Sequence, residues 1–161
     1  MPKYRLEVLL EMRQRAEDDA KTVFGEAQKA LRLEEKKLKE EEDMLERMIE
    51  DRKRRREEYS RKLASGEMKV TDQSSANRFL DRMKEKESEQ KDRIEAQREQ
   101  VRHAEKDVKK AQDALIEATQ ALKALQKHKE NWEKEVKKER AAKEEDNLDE
   151  IGQVIFNQRR K

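Results

Sequence analysis

The sequence predicts an all-α protein that folds as one long, antiparallel two-helix coiled-coil hairpin. Two observations favour this fold class. Apolar residues recur every 3.5 residues between Leu80 and Val136, where thirteen of seventeen seam positions are apolar, and so long a period is typical of a left-handed coiled coil. Half of the 161 residues are charged and only 32% are hydrophobic, which is too few to build a thick globular core.

One break in the helical pattern divides the chain into two arms. Gly66 can end a helix in the left-handed conformation, and the side-chain oxygens of Thr71, Asp72, Ser74 and Ser75 can cap the start of another. Two arms joined by a short loop must run antiparallel. We therefore expect a single hairpin domain in 1–161, with helix one over about 2–64, a loop over about 65–74, helix two over about 75–145 and an overhang over 146–161.

The first arm is expected to have an irregular seam. Its apolar pattern changes register by one residue near Ala30, and polar residues interrupt the later part at Glu34, Glu41, Arg52 and Arg55. With the turn near 68–70, the numbers of facing residues are expected to sum to about 138. The expected seam residues before the change of register are Leu6, Leu9, Met12, Ala16, Ala20, Val23, Ala27 and Ala30. Those after it are Leu31, Leu38, Leu45, Met48, Tyr59 and Leu63.

The second arm is expected to have the better seam. Bulky residues such as Ile94 and Val101 alternate with small ones such as Ala104 and Ala111, so the two helix axes can approach closely. Only four of its seam positions are polar: Glu87, Gln90, Gln97 and Lys129.

Several functional classes are disfavoured. The net charge is +2 with interspersed signs, which lacks the basic field that nucleic-acid binding requires. The longest apolar run is Val8–Leu10, which is too short to insert in a membrane. No catalytic or phosphate-binding motif is present, and His103 and His128 are expected to be solvated on charged helices. We expect no enzyme activity, no catalytic residue, no cofactor and no metal.

Four features are candidates for binding another protein. The basic run Arg52–Arg56 is expected to be a solvated face, with contact to an acidic partner as the alternative. Trp132 either closes the seam or binds a partner. The overhang has no internal surface to cover its apolar cluster, which favours partner binding. The apolar residues near the turn, which pack in the seam or meet a partner, are Tyr59, Leu63, Phe79, Leu80 and Met83.

Three segments resemble one known family. Lys3–Arg13, Lys127–Glu135 and Asp149–Phe156 are similar to the start and end of the stalk proteins of type III secretion, the injectisome SctO/YscO family related to flagellar FliJ. The resemblance implies a two-helix hairpin resembling the coiled coil of the ATP synthase gamma subunit. It also implies a non-catalytic cytoplasmic stalk at the cytoplasmic face of the secretion apparatus. Such a stalk inserts in the hexameric secretion ATPase, promotes its activity, links it to the cytoplasmic ring of the export gate and interacts with export chaperones.

The resemblance also implies where each partner binds. The end that carries both termini would face the ATPase, and the turn, with Tyr59, Leu63, Phe79, Leu80 and Met83, would face the gate. The alternative is a structural scaffold that dimerises through parallel helices. The residues implied at the ATPase are Tyr4, Leu6, Leu9, Trp132, Leu148, Ile151, Val154, Ile155 and Phe156.

Overall fold

Two long helices make up the described part of the chain. The computed structural model describes residues 2–160, in which α1 is Glu7–Ala64, α2 is Val70–Arg160 and no strand occurs. Gln97 on α2 contacts Glu34 on α1, whereas the earlier Gln90 contacts the later Glu41. The helices therefore run antiparallel against each other, and the predicted all-α hairpin is confirmed.

Internal contacts divide the hairpin into two units. The turn unit comprises residues 23–112, and it includes the connection between the helices. The terminal unit comprises residues 1–22 and 113–161, of which 2–22 and 113–160 are described. Each unit contains one segment of α1 and one of α2.

The start of α1 lies later than the sequence pattern suggests. We expected a helix from about residue 2, but α1 begins at Glu7. The backbone N–H of Glu7 donates to the carbonyl of Tyr4 at 3.3 Å, in a turn that precedes the helix. Tyr4 itself is buried, so the residues before α1 are held by side-chain packing instead of by helical hydrogen bonds.

The connection between the helices is shorter than expected and occupies residues 65–69 instead of 65–74. Gly66 has a φ of 76°, which is the left-handed conformation that ends a helix at low cost for glycine. The backbone N–H of Lys69 donates to the Asp72 carboxylate at 3.3 Å. Asp72 thus satisfies a free N–H from within the first turn, and α2 can begin at Val70, ahead of the serines.

The predicted seam of α2 is confirmed at every position. All seventeen seam residues between Leu80 and Val136 are buried or half-buried. The most buried of the apolar ones is Leu122, with 4% of its surface exposed, followed by Ile94 and Leu125 at 5%. The four polar exceptions lie in the seam as well, so each of them must find a polar partner.

The predicted seam of the first thirty residues is wrong in most positions. Met12 and Val23 are 59% and 55% exposed, whereas Arg13 and Glu17 lie half-buried or buried in their place. The observed seam keeps one 3,4 spacing throughout. Polar residues can occupy some of its positions because each of them has a hydrogen-bond partner. Its positions from residue 10 onward are Leu10, Arg13, Glu17, Ala20, Phe24, Ala27, Leu31, Glu34, Leu38, Glu41, Leu45, Met48 and Arg52.

The contacts across the turn unit spread around the expected register. The residue numbers of the Glu41–Gln90 and Glu34–Gln97 pairs sum to 131. Those of the Arg52–Glu87 and Glu42–Arg98 pairs sum to 139 and 140. Long side chains reach along the seam, so these sums bracket the expected value of about 138.

The last part of α2 is helical but uncovered. The helix continues past residue 145 to Arg160, and every residue from 137 to 160 is exposed. Lys, Glu, Ala and Arg, which are strong helix formers, dominate residues 137–145. Local propensity therefore extends the helix beyond the region where packing supports it.

Candidate protein-interaction sites

Two glutamine–glutamate pairs form consecutive polar layers inside the turn unit. Gln90 is 5% exposed, and its side-chain amide donates to the Glu41 backbone carbonyl at 2.9 Å and to the Glu41 carboxylate. Gln97 makes the same two contacts with Glu34, at 3.0 Å to the carbonyl. A buried polar layer is a known means of fixing coiled-coil register, so these pairs set how the two helices align here.

Arg52 and Glu87 form an ion pair within the same seam. Arg52 Nε lies 2.7 Å from Glu87 Oε2, and the two side chains are only 17% and 8% exposed. Arg52 belongs to the basic run that we expected to be a solvated face. The structure corrects that expectation for this residue, because its guanidinium is the seam partner of a buried carboxylate.

In the terminal unit, Tyr4 is the centre of an aromatic cluster. Its ring centroid lies 5.1 Å from that of Trp132 and 5.8 Å from that of His128. The Tyr4 hydroxyl hydrogen-bonds to His128 Nδ1. Trp132 is half-buried in this cluster, so it closes the seam, which was one of its two interpretations. Both histidines are exposed, as expected, and His128 in addition bonds to Tyr4.

An ion pair flanks the aromatic cluster. Lys129 Nζ lies 2.8 Å from Glu7 Oε2 and 5.9 Å from the centroid of the Tyr4 ring. The hydrogen bond to Glu7 raises the pKa of Lys129. Glu7 is thus the first-turn acid of α1 and the partner of the one lysine in the α2 seam.

Glu17 and Arg13 continue the polar contacts further along α1. Arg13 Nη1 donates to the backbone carbonyl of Ala121 at 2.9 Å. Glu17, which is 8% exposed, lies 3.0 Å from Lys21 Nζ. Hydrogen bonds from Lys21 and then Thr119 lower the pKa of Glu17. Arg13 and Glu17 were not among the predicted seam residues, because that prediction rested on apolar residues alone. Their 3,4 spacing relative to the other seam residues was the signal that could have identified them.

The residues that we expected at the ATPase fall into two groups. Tyr4 is buried and Trp132 and Leu9 are half-buried, so they hold the terminal unit together. Leu6 is 37% exposed. The cluster on the end of α2 is fully open, and its residues and exposed fractions are Leu148 at 68%, Ile151 at 55%, Val154 at 56%, Ile155 at 49% and Phe156 at 60%.

The residues that we expected at the turn lie closer to the seam. Tyr59, Phe79, Leu80 and Met83 are half-buried, and Leu63 is 37% exposed. The Arg55 guanidinium lies 5.0 Å from the centroid of the Phe79 ring. Because the Phe79 ring is half-buried beside Arg55, a partner can reach it only where the surface is recessed. The turn unit has such a depression next to Phe79.

Neither a metal-binding group nor a membrane-spanning stretch occurs in the described residues. Within 2–160 no three His, Cys, Asp or Glu side chains are grouped to hold a metal ion. Neither described helix has a stretch apolar enough to span a membrane. In the described residues, the buried polar side chains that we find lie in pairs across the seam or along one helix.

These features define a class of protein: a helical hairpin whose polar contacts are structural and whose open apolar side chains suit binding to another protein. The model of the YscO-like protein family matches residues 1–161. The chain therefore belongs to the YscO-like family, which suggests a stalk-like protein of type III secretion.

A solved structure agrees with this membership. The chain is similar to CT670 from Chlamydia trachomatis, which is described as a candidate YscO homologue, with 26% identity and a TM-score of 0.84. The similarity covers 98% of this chain and 96% of the other. No curated protein matches the chain.

Proposed function

We propose that this protein is the non-catalytic central stalk of a bacterial type III secretion system. It couples the hexameric secretion ATPase to the cytoplasmic ring of the export gate and promotes ATPase activity at the cytoplasmic face of the apparatus. Membership of the YscO-like family supports the assignment to type III secretion. A helical hairpin with an uncovered helical end supports the role of a stalk.

The observation that carries the proposal is the open cluster on the last turns of α2. Five large apolar residues between Leu148 and Phe156 are each about half exposed or more. Exposed apolar patches of this kind usually mark interaction sites. Two of them, Ile151 and Ile155, are spaced as i and i+4 and lie on one face of the helix, which suits an apolar groove or channel in a partner.

Nothing within the described chain covers this cluster. Pro2, just before α1, lines a surface depression together with Val136, Arg140 and Lys143 of α2. The described residues beyond 143 are all exposed. We assign the segment 146–161 to the ATPase and the turn residues near Phe79 to the gate. Export chaperones are a further class of partner.

A stimulation assay tests the ATPase assignment. We expect deletion of residues 146–161, or Leu148→Ser with Ile155→Ser, to remove stimulation of the secretion ATPase from the source organism. The matched control is Leu33→Ser, since Leu33 is 54% exposed but lies on α1 in the turn unit. Unchanged stimulation by the deletion variant, with helicity of the hairpin retained, would refute docking through the end of α2.

The scaffold alternative requires a free seam. A dimer through parallel helices would need the α2 seam to face a second copy, but α1 of the same chain covers it at Gln90 and Gln97. No contact in the described residues favours that alternative.

A further inference from the structure

The segment around the turn, residues 52–86, carries positive charge that the chain as a whole does not. Between Arg52 and Lys86 there are twelve Lys and Arg residues against six Asp and Glu, whereas the complete chain has a net charge of +2. The remaining residues together are therefore net negative. Such separation of charge steers an acidic partner toward one region of the molecule.

Within this region there is one depression with an apolar floor. It has a volume of about 280 Å³, and the side chains of Met48, Phe79 and Met83 line it together with Asp51, Arg82 and Lys86. Ligand pockets for drug-sized molecules run from ~300 to ~1,000 Å³. The depression is therefore sized for a single protein side chain, and methionines make its walls adaptable to different shapes.

The rim of the depression is cationic. The one carboxylate, Asp51, is already neutralised, because Arg54 lies 2.8 Å and Arg55 3.4 Å from its oxygens. The hydrogen bond from Arg54 is the main reason that the pKa of Asp51 is lowered. Arg82 and Lys86 are exposed, and no ion pair to either is found among the described residues, so both can receive carboxylates.

We propose that this depression, hereafter the Phe79 pocket, takes an apolar side chain from an acidic segment of a partner protein, with Arg82 and Lys86 binding the flanking carboxylates. The inference deepens the proposed function. It rests on that function for the identification of the partner as the export gate. The geometry favours a protein over a lipid surface, because the apolar floor is recessed between two helices and a membrane is met by protruding side chains.

The Phe79 pocket also fits protein better than nucleic acid. Phosphate backbones are bound by continuous basic tracks, whereas Arg82 and Lys86 flank a recessed apolar floor of Met48, Phe79 and Met83. An apolar anchor surrounded by charged residues is the usual composition of a protein–protein hot spot and its rim.

A peptide titration tests the inference. The probe is acetyl-Glu-Asp-Phe-Asp-Glu-amide, added to the full-length protein carrying 13C-methyl methionine. Met48 and Met83 line the pocket, while Met12 is 59% exposed in the terminal unit and serves as an internal reference. We expect the Met48 and Met83 resonances to shift and that of Met12 to stay. The same peptide with Ala for Phe, or with Lys for each acid, should produce no shift.

Charge reversal sharpens the test without removing the apolar floor. Arg82→Glu with Lys86→Glu should weaken peptide binding at least about tenfold. Lys137→Glu with Lys138→Glu, which alters exposed residues of the terminal unit, should leave it unchanged. Absence of shifts at Met48 and Met83, equal shifts with the Ala peptide, or binding of only anionic vesicles or duplex DNA would overturn the inference.

The outcomes for the two proposals are separable. A negative peptide titration beside normal ATPase stimulation rejects the Phe79 pocket and retains the stalk function. Unchanged ATPase stimulation by the deletion variant rejects docking through the end of α2. The Met48 and Met83 shifts are measured on the free protein and do not depend on that experiment.

Discussion

The side-chain amide of Gln90 binds Glu41 twice, at the backbone carbonyl and at the carboxylate. Gln97 repeats this arrangement on Glu34, one heptad away on each helix. Two such polar layers, one heptad apart on each helix, can form together only when the two helices are aligned in one register. We regard these pairs as the feature that aligns α1 with α2 in the turn unit.

The first prediction concerns Gln90. We expect Gln90→Ala to lower the free energy of unfolding by about 1–2 kcal/mol, because two hydrogen bonds are lost and the half-buried Glu41 carboxylate is left without its donor. Urea unfolding followed by circular dichroism measures this. The control is Gln100→Ala at an exposed position; an equal loss for both variants would mean that the layer has no special role.

The second prediction compares two ion pairs of the basic run. Arg52→Ala leaves the 8%-exposed Glu87 side chain uncompensated and should cost about 2 kcal/mol of unfolding free energy. Arg54→Ala breaks a pair whose arginine is 76% exposed and should cost less than about 1 kcal/mol. Thermal unfolding of both variants gives the comparison, and equal losses would contradict a seam role for Arg52.

Much of the hairpin could be predicted from the sequence, because the spacing of apolar residues along the chain indicates where the helices and their seam lie. The α2 seam was readable since thirteen apolar residues mark it directly, and Gly66 marked the turn. The α1 seam was misread near Arg13 and Glu17, because counting apolar residues favours the exposed Met12 and Val23 over polar residues that have partners. The register followed from contacts between distant residues, which no local pattern contains.

The candidate sites were predictable to a different extent. The open residues Leu148–Phe156 could be identified by length alone, because α1 is too short to cover them. The Phe79 pocket could not, since Met48 and Met83 belong to different helices and meet only in the observed register. The contact of His128 with Tyr4 could not be predicted, because Tyr4 precedes α1 and is far away in sequence.

The third prediction is an acid dependence that arises from Glu17. Its lowered pKa in the folded state means that its carboxylate stabilises the fold above the ordinary value of 4.5, and that this stabilisation is lost as the pH falls through the folded-state pKa. Between about pH 5 and about pH 3, the wild-type Tm should therefore fall further than that of Glu17→Gln. Glu11→Gln, at an exposed position, should follow the wild type; parallel curves for Glu17→Gln would contradict the assignment.

The fourth prediction contrasts two glycines. Gly25 lies inside α1, and an added Cβ would meet nothing within 4 Å, so Gly25→Ala should stabilise the protein by about 0.5–1 kcal/mol. Gly66 has a φ of 76°, and Gly66→Ala should destabilise it by about 1 kcal/mol. Denaturation midpoints of the two variants should move in opposite directions, and a shift in the same direction would argue against the observed turn.

The intramolecular hairpin in its observed register is tested most directly by disulfide formation. The chain has no cysteine, so Glu41→Cys with Gln90→Cys introduces one defined pair, and Glu41→Cys with Ala104→Cys gives the control that is two heptads away. Under mild oxidation we predict that the first variant forms a monomeric cross-linked chain in high yield and the second does not. Preferential cross-linking of the second variant, or a covalent dimer from the first, would contradict the fold in which α1 covers the α2 seam of its own chain.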